Sequence, residues 1–169
     1  MLQKHIREVP NFPKEGILFR DITPLLANPQ AFNLSLSLFE VAAANYKVDV
    51  VAGIESRGFI FGAALAARLH KAFVPIRKPG KLPAETDRVA YNLEYGSDAV
   101  EIHKDAVGLK DSVLLIDDVL ATGGTAKASI ELIEKQKASV CAAFFLIELE
   151  SLNGAKNLQG TPQFSLLTY

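Results

Sequence analysis

The segment from Val113 to Thr125, with the sequence VLLIDDVLATGGT, constrains this chain more than any other. Apolar residues of high strand propensity lead into two neighbouring carboxylates, Asp117 and Asp118, and a turn rich in glycine and threonine follows. Apolar residues then recur at helical spacing, so the segment predicts a strand, a loop and a helix. Because the N–H groups and the dipole at a helix N-terminus favour phosphate, the turn predicts a phosphate site. The neighbouring carboxylates suit sugar hydroxyls or Mg²⁺.

Apolar segments with the length of strands alternate along the chain with segments that have the length and pattern of helices. Strands are predicted at Ile17–Arg20, Val48–Ala52, Phe73–Ile76, Val113–Ile116, Val140–Leu149 and Phe164–Leu167, and helices at Leu2–Val9, Asn28–Asn45 and Phe59–Leu69. The period-two pattern of residues 89–102 predicts an antiparallel hairpin. The alternation predicts the α/β fold class, with a central, mostly parallel sheet flanked by helices. Ligands bind at the carboxyl ends of such strands, so the loops after Ala52, Ile76 and Ile116 are expected at one edge.

The length and composition are those of one globular domain. The chain has 169 residues, of which 49% are hydrophobic and 22% charged, and its formal net charge is -1. Without a basic surplus there is no overall attraction to nucleic acid, so no nucleic-acid partner is expected. The single cysteine, Cys141, excludes a disulfide within one chain. The absence of a leader peptide and of a membrane-length apolar segment predicts a soluble, cytoplasmic protein with no membrane partner.

A strand that runs into two acids is also typical of P-loop hydrolases and of phospho-acceptor pockets. A P-loop hydrolase needs the pattern G-x-x-x-x-G-K-[ST], but Phe59 and Ile60 follow the glycines of residues 53–58. A phospho-acceptor pocket does not require the threonine- and glycine-rich turn that follows the acids here. The pattern therefore favours a site that binds a phosphate together with sugar hydroxyls.

Two further loops at the predicted binding edge carry groups that suit anions. A plain strand-to-helix turn would explain the glycines of residues 53–58, but not Arg57 among small residues. The cations Arg77, Lys78 and Lys81 fit an ordinary solvated loop, yet this mobile basic loop leaves the ligand edge and can close over a polyphosphate. Two anion sites, an acidic pair and a closing loop together suit a sugar with phosphates at both ends, such as phosphoribosyl pyrophosphate.

Several segments of the chain resemble the type I phosphoribosyltransferases. VLLIDDVLATGGT is similar to the motif with which that family binds phosphoribosyl pyrophosphate. FRDI (19–22), GIESRGF (53–59), RKPGKLP (77–83) and LEYG (93–96) are similar to segments of the adenine-specific members, and the likeness covers nearly the whole chain. The resemblance implies the type I phosphoribosyltransferase fold as a single domain over residues 1–169. It also implies a small N-terminal hood at about residues 1–28 and a flexible hairpin loop.

The same resemblance implies a reaction. The 5-phosphoribosyl group would pass from phosphoribosyl pyrophosphate to adenine, giving AMP and pyrophosphate, with Mg²⁺ accompanying the substrate and a homodimer as the working assembly. The expected partners are therefore small-molecule substrates and a second copy of the chain. Two alternatives stay open: a transferase for xanthine or hypoxanthine, which the hood residues decide, and a non-catalytic phosphoribosyl-pyrophosphate-binding regulator. Such a regulator usually carries a helix-turn-helix module, for which the chain has no spare residues.

The family pattern assigns a role to each matching residue. Glu94, which by pattern alone is an ordinary exposed strand residue, is implied as the catalytic acid or base near N7 of the purine. Leu18 (through its backbone) and Arg20 are implied to contact adenine, and Asp117 and Asp118 to hold the ribose hydroxyls directly or through Mg²⁺. The phosphate contacts are implied to be Ala121, Thr122, Gly123, Gly124 and Thr125 for the 5-phosphate, and Glu55, Ser56, Arg57, Arg77, Lys78 and Lys81 for pyrophosphate, the last three partly from the neighbouring subunit. In this family the loop of residues 55–57 often contains a non-proline cis peptide.

Overall fold

The computed structural model describes residues 1–92, 97–158 and 160–169, which form two compact units, Met1–Leu38 and Phe39–Tyr169. The first contains a 3₁₀ turn at Gln3–His5, β1 (Arg7–Pro10), β2 (Leu18–Asp21) and α1 (Thr23–Leu26); α2 (Pro29–Ala43) begins in it and ends in the second. The second contains β3 (Val50–Ile54), α3 (Gly58–Leu69), β4 (Ala72–Ile76), β5 (Thr86–Asn92), β6 (Ser97–His103), β7 (Ser112–Leu120), α4 (Gly124–Lys135), β8 (Ser139–Glu148), 3₁₀ turns at Glu150–Leu152 and Gly154–Leu158, and β9 (Gln163–Thr168). None of the helices in these ranges combines the length and the apolar character that a membrane crossing requires.

The first unit contains an antiparallel strand pair, β1 and β2, where part of a helix was predicted over Leu2–Val9. That prediction was wrong beyond His5, because the backbone of Arg7 and its successors pairs with β2 instead. Across this ladder, the Arg7 guanidinium lies 2.6 Å from the carboxylate of Asp21. Pairing satisfies backbone groups that a short helix halted by Pro10 would leave open.

The start of α2 is confirmed by its cap. Oδ1 of Asn28 accepts a hydrogen bond from the N–H of Ala31 at 2.9 Å. Pro29 takes the first helical position, where the missing N–H costs nothing. A local signal of this kind needs no tertiary contact, which is why the sequence was sufficient to place it.

Five strands form the sheet of the second unit, in the order β4-β3-β7-β8-β9. Every pair in it is parallel, which confirms the predicted α/β fold class. The inner strand β3 is buried along its whole length, as expected for an apolar strand covered on both faces. Helix α3 packs on β3 and β7, and α4 packs on β7 and β8.

The predicted hairpin is present and packs against α4. Strand β5 pairs with β6 in antiparallel register, and both strands contact α4. Two backbone hydrogen bonds between Arg77 and Glu101, of 2.9 and 2.8 Å, join the segment after β4 to β6. The hairpin therefore lies between α4 and the beginning of the basic loop.

Candidate active site

The carboxyl ends of β4, β3 and β7 lie side by side, as predicted. Ile54 on β3 pairs with Ile76 on β4, and β3 also pairs with β7 as far as Ile116. The acidic pair, the turn of residues 55–57 and the basic loop of residues 77–83 continue from these positions. This edge of a parallel sheet is where α/β proteins bind ligands.

Asp117 and Asp118 lie inside β7, so the predicted strand end at Ile116 was too early. Asp117 pairs with Phe145 on β8, and the ladder continues to Leu120. Aspartate is unfavourable in strands, but the context of a neighbouring strand can override that preference, and here β8 provides the ladder partners.

Asp117 and the turn of residues 121–125 line one small cavity, which brings a predicted acid and the predicted phosphate-binding groups together. The cavity has a volume of about 80 Å³, and Val119, Leu120 and Ala126 complete its wall. Gly123 precedes the first residue of α4 with a φ of 80°, and no side chain among the described residues caps this helix. The first N–H groups of α4 are therefore available to a phosphate.

The turn of residues 121–125, named the phosphate-binding turn for its predicted role, is held by close backbone packing against the 3₁₀ turn at Gly154–Leu158. A Cβ on Gly123 would lie 2.4 Å from the carbonyl oxygen of Gly154, and a Cβ on Gly154 would lie 2.1 Å from that of Ala121. Nδ2 of Asn157 donates to the carbonyl oxygen of Thr122 at 2.7 Å. These contacts fix the turn before any ligand binds, which is the preorganisation that an anion site requires.

Asp118 of the acidic pair is buried, and Asp117 is half-buried where it lines the cavity. Burial raises the pKa of Asp117 well above its ordinary value, and the charge of Asp118 raises it further. Burial also raises the pKa of Asp118, but the guanidinium of Arg57, whose Nε lies 2.8 Å from Oδ2, opposes that rise. Strongly perturbed acids in a cavity are typical of functional sites. The structure thus brings Arg57 to the acidic pair, although it was predicted to contact pyrophosphate.

Replacing Arg57 with glutamine is expected to raise the pKa of Asp118 further. A folded-state pKa above the unfolded value of 3.8 means that the folded chain binds more protons, so stability falls as pH rises above 3.8 towards the folded pKa. Arg57→Gln should lose stability more steeply over that window than the unmodified chain. Urea unfolding at several values between about pH 4 and pH 7 measures the slope.

The matched control for Arg57→Gln is Arg68→Gln. Arg68 also pairs with a carboxylate, that of Glu40 at 3.4 Å, but this carboxylate is 45% exposed. Its removal makes the same change in net charge without uncovering a buried acid. Equal slopes of stability against pH in the two variants would contradict the electrostatic role of Arg57.

The turn after β3 contains a cis peptide bond between Glu55 and Ser56, as the resemblance implied. Oε2 of Glu55 accepts hydrogen bonds from Nε of Arg77 at 3.2 Å and from the N–H of Lys78 at 3.0 Å. Oε1 accepts one from Nζ of Lys81. Burial acts to raise the pKa of Glu55, but its three donors, with the Lys81 ammonium the strongest, hold that pKa at about 2. Glu55 is therefore a carboxylate at neutral pH, and it faces the cations predicted to bind pyrophosphate.

The hydroxyl of Tyr91 connects the basic loop, the hairpin and the phosphate-binding turn. Nζ of Lys78 donates to it at 2.8 Å, and Oγ1 of Thr125 donates to it at 3.0 Å. Tyr91 donates in turn to Oδ2 of Asp98 at 3.2 Å, and the same carboxylate pairs with Lys78. Neither Tyr91 nor Asp98 was among the predicted site residues, since the alternation of a hairpin strand is the same whether or not its side chains contact a loop.

The remaining residues are those predicted to serve base recognition and proton transfer. Glu94, the predicted catalytic residue, lies outside the described residues. Leu18 and Arg20, predicted to contact adenine, lie on β2 of the first unit. Leu18 is exposed, and the Arg20 guanidinium pairs with Glu8 on β1. Their roles toward the base stay predictions.

Comparison with known proteins identifies the class to which this fold and site belong. Residues 25–157 match the family profile described as "Phosphoribosyl transferase domain". The match includes the strand with the acidic pair, the phosphate-binding turn and the basic loop. The chain thus contains a phosphoribosyltransferase domain, which covers most of the second unit.

Individual relatives show to which group of phosphoribosyltransferases the chain belongs. The chain is 56% identical to an adenine phosphoribosyltransferase of Francisella philomiragia, over 99% of this chain and 97% of that protein. The solved adenine phosphoribosyltransferase of Thermoanaerobacter pseudethanolicus superposes with a TM-score of 0.97 at 50% identity, covering 99% of this chain and 98% of that one. The enzyme of Saccharomyces cerevisiae, solved with an imino-altritol bisphosphate and adenine, gives a TM-score of 0.93 at 44% identity, covering 98% and 96%. This chain belongs to the adenine phosphoribosyltransferase family.

Proposed function

We propose that this chain transfers the 5-phosphoribosyl group from phosphoribosyl pyrophosphate to adenine, giving AMP and pyrophosphate, a step of purine salvage. The observation that carries the proposal is the cavity in which Asp117 meets the N-terminus of α4, in a chain of the adenine phosphoribosyltransferase family. The complex of the related yeast protein with adenine and a sugar-like bisphosphate supports it.

The ribose 5-phosphate end of the substrate suits the cavity at the head of α4. Backbone N–H groups of residues 121–125 would donate to the phosphate, and the hydroxyls of Thr122 and Thr125 would add two donors. Asp117 lines the same cavity, and a carboxylate there would accept hydrogen bonds from the ribose hydroxyls. Asp118 would act beside it while the Arg57 guanidinium balances its charge.

The pyrophosphate end suits the cations at the edge of the sheet. As the bond from C1 breaks, positive charge develops on the ribose ring and negative charge on the leaving group. Arg77, Lys78 and Lys81, together with the turn at Ser56, would stabilise that negative charge. The closed basic loop would also keep water from intercepting the ribosyl cation. We propose Glu94 as the acid or base that serves N7 of the purine.

The acidic pair fits a magnesium ion that arrives with the substrate. Carboxylate oxygens are hard ligands of the kind Mg²⁺ prefers, and Mg²⁺ is usually held by one or two carboxylates together with substrate phosphates. Within residues 1–92, 97–158 and 160–169 no group of three or more possible metal ligands clusters. Asp117 and Asp118 would hold the ion indirectly, and Mg²⁺ bound there would neutralise charge on the pyrophosphate.

Base specificity and assembly complete the proposal. Leu18, through its backbone, and Arg20 would bind adenine, with residues 1–169 working as one domain and about residues 1–28 as its hood. A homodimer is proposed from the family and is supported by apolar surface on the second unit, where Val41 is 71% exposed and Ile60 is 40% exposed. The free thiol of Cys141 is compatible with a reducing, cytoplasmic location. Analytical ultracentrifugation tests the dimer.

One assay tests the proposed reaction. Purified protein is mixed with Mg²⁺, phosphoribosyl pyrophosphate and adenine, hypoxanthine or xanthine in turn, and pyrophosphate release is followed. Release with adenine and little with the other bases is the expected result. Release with hypoxanthine or xanthine alone would support the alternative base specificity. Binding of phosphoribosyl pyrophosphate without release with any base would favour a non-catalytic regulator.

A further inference from the structure

Each cation predicted to bind pyrophosphate is paired with a carboxylate of the same chain. Arg77 and Lys81 share the carboxylate of Glu55, whose side chain is only 10% exposed. Lys78 pairs with Asp98 on the hairpin. In the chain without ligand, carboxylates of the protein therefore occupy the positions next to these cations that pyrophosphate is proposed to take.

We propose that Glu55 is a positioning residue that serves as an internal counter-ion: it holds Arg77 and Lys81 in the free chain and is displaced from them when pyrophosphate binds. The inference rests on the proposed function, because it assumes that these cations receive the leaving group. In this role Glu55 does not bind pyrophosphate, because its negative charge competes with pyrophosphate for the two cations. Loss of that charge should therefore tighten pyrophosphate binding.

The geometry allows the exchange because Glu55 uses the donors that a phosphate would use. Nε of Arg77 donates to the carboxylate at 3.2 Å, while Nη1 of the same guanidinium donates to the carbonyl oxygen of Lys81 at 3.1 Å. Phosphate and carboxylate oxygens compete for the same fork of N–H groups. Lys81 is 48% exposed, so an incoming anion can reach its ammonium from solvent.

The same pairing explains how the site would release its product. After the transfer, Arg77 and Lys81 are still bound to pyrophosphate, although the transition state that they stabilised has passed. Glu55 lies within hydrogen-bond reach of both cations and can reclaim them without crossing the site. Because product release limits turnover in many enzymes, a built-in competitor for the leaving group would have kinetic value.

The decisive measurement is the affinity for pyrophosphate, by titration calorimetry, with and without Mg²⁺. In Glu55→Gln we expect metal-free pyrophosphate to bind about tenfold tighter, since about one charge-assisted hydrogen bond no longer has to be broken. The amide oxygen of glutamine can still accept from the N–H of Lys78, so the turn keeps one of its contacts. Product inhibition by pyrophosphate in the adenine assay should strengthen in parallel.

Two variants control the experiment. Glu85→Gln makes the same change in net charge at a carboxylate that is 84% exposed and pairs with Lys104, so its affinity for pyrophosphate should stay within about twofold of the unmodified chain. Glu55→Asp keeps the charge and should bind pyrophosphate no tighter than the unmodified chain. A thermal melt of each variant confirms that it is folded before its affinity is interpreted.

The outcomes separate this inference from the proposed function. Weaker binding to Glu55→Gln under both conditions would make Glu55 a direct contact and overturn the counter-ion role. Weaker binding only with Mg²⁺ would make Glu55 a metal-linked residue and would also overturn it. If the unmodified chain bound no pyrophosphate and released none with adenine, the proposed function itself would fail.

Discussion

Glu94→Gln is expected to lower kcat by ~10²–10⁴, the usual contribution of a general acid or base, while the affinity for phosphoribosyl pyrophosphate stays close to that of the unmodified chain. Glutamine keeps the size and hydrogen-bonding capacity of the side chain but cannot exchange a proton. The proposed phosphate and ribose contacts lie on other segments, so substrate binding should survive the change.

The placement of β5 supports this expectation. The strand ends at Asn92, shortly before Glu94 in the sequence, and the hydroxyl of Tyr91 on that strand contacts Thr125 at the head of α4. The described end of β5 therefore lies next to the proposed 5-phosphate site. A hairpin that merely covered the surface would have no such contact.

Single-turnover kinetics with adenine measure the chemical step directly, and the pH dependence of that rate identifies the group that titrates. Glu85→Gln is the control, because it removes a carboxylate that is 84% exposed. Near-normal single-turnover rates in Glu94→Gln would remove Glu94 from the mechanism. A uniform rise in KM with unchanged kcat would assign it to binding instead.

The parts of the fold that sequence could predict are those with a local cause. β3 and β8 are continuous apolar runs because they are covered on both faces, and the cap of α2 at Asn28 depends on residues three apart. The α/β class followed from the alternation of such segments. The turn of residues 121–125 was predictable for a similar reason, since its glycines stand directly before the helical spacing of α4. Its role towards a phosphate stays a prediction.

The parts that sequence could not predict depend on partners far away in the chain. β7 continues through Asp117 because β8 provides its ladder, although aspartate alone argues for a loop. The basic loop was predicted to close over a polyphosphate, but its spacing gave no sign that Arg77 meets Glu55 over a separation of 22 residues. Tyr91 meets Thr125 over 34 residues. Contacts of this kind leave no periodic pattern in the sequence, because the two residues become neighbours only in the folded chain.

The close contact between Gly123, in the phosphate-binding turn, and Gly154, which packs against that turn, gives the second large prediction. Gly123→Ala is expected to lower the free energy of unfolding by about 3 kcal/mol or more and to abolish measurable binding of ribose 5-phosphate. A side chain at this residue must accept a φ of 80° and a Cβ that lies 2.4 Å from the carbonyl oxygen of Gly154. The obstructing atom is backbone, so the turn itself must move, and the N–H groups at the head of α4 move with it.

Two further alanine variants separate the two causes. Gly160 has a φ of 96° and nothing within 4 Å of the position that a methyl group would take, so Gly160→Ala has the conformational cost alone, about 1–2 kcal/mol. Gly154→Ala has the steric conflict alone, since its Cβ would lie 2.1 Å from the carbonyl oxygen of Ala121. Urea unfolding and titration with ribose 5-phosphate are measured for all three variants.

The expected pattern follows from which backbone atoms each change displaces. Gly160→Ala should be mildly destabilised and should bind ribose 5-phosphate as the unmodified chain does. Gly154→Ala should lose binding although it touches no ligand, because its methyl group pushes on the residue that opens the phosphate-binding turn. If Gly154→Ala and Gly123→Ala bound ribose 5-phosphate normally, the 5-phosphate site could not be at the head of α4. In that case Asp117 would lose its assignment to the ribose as well, since the two groups line the same cavity.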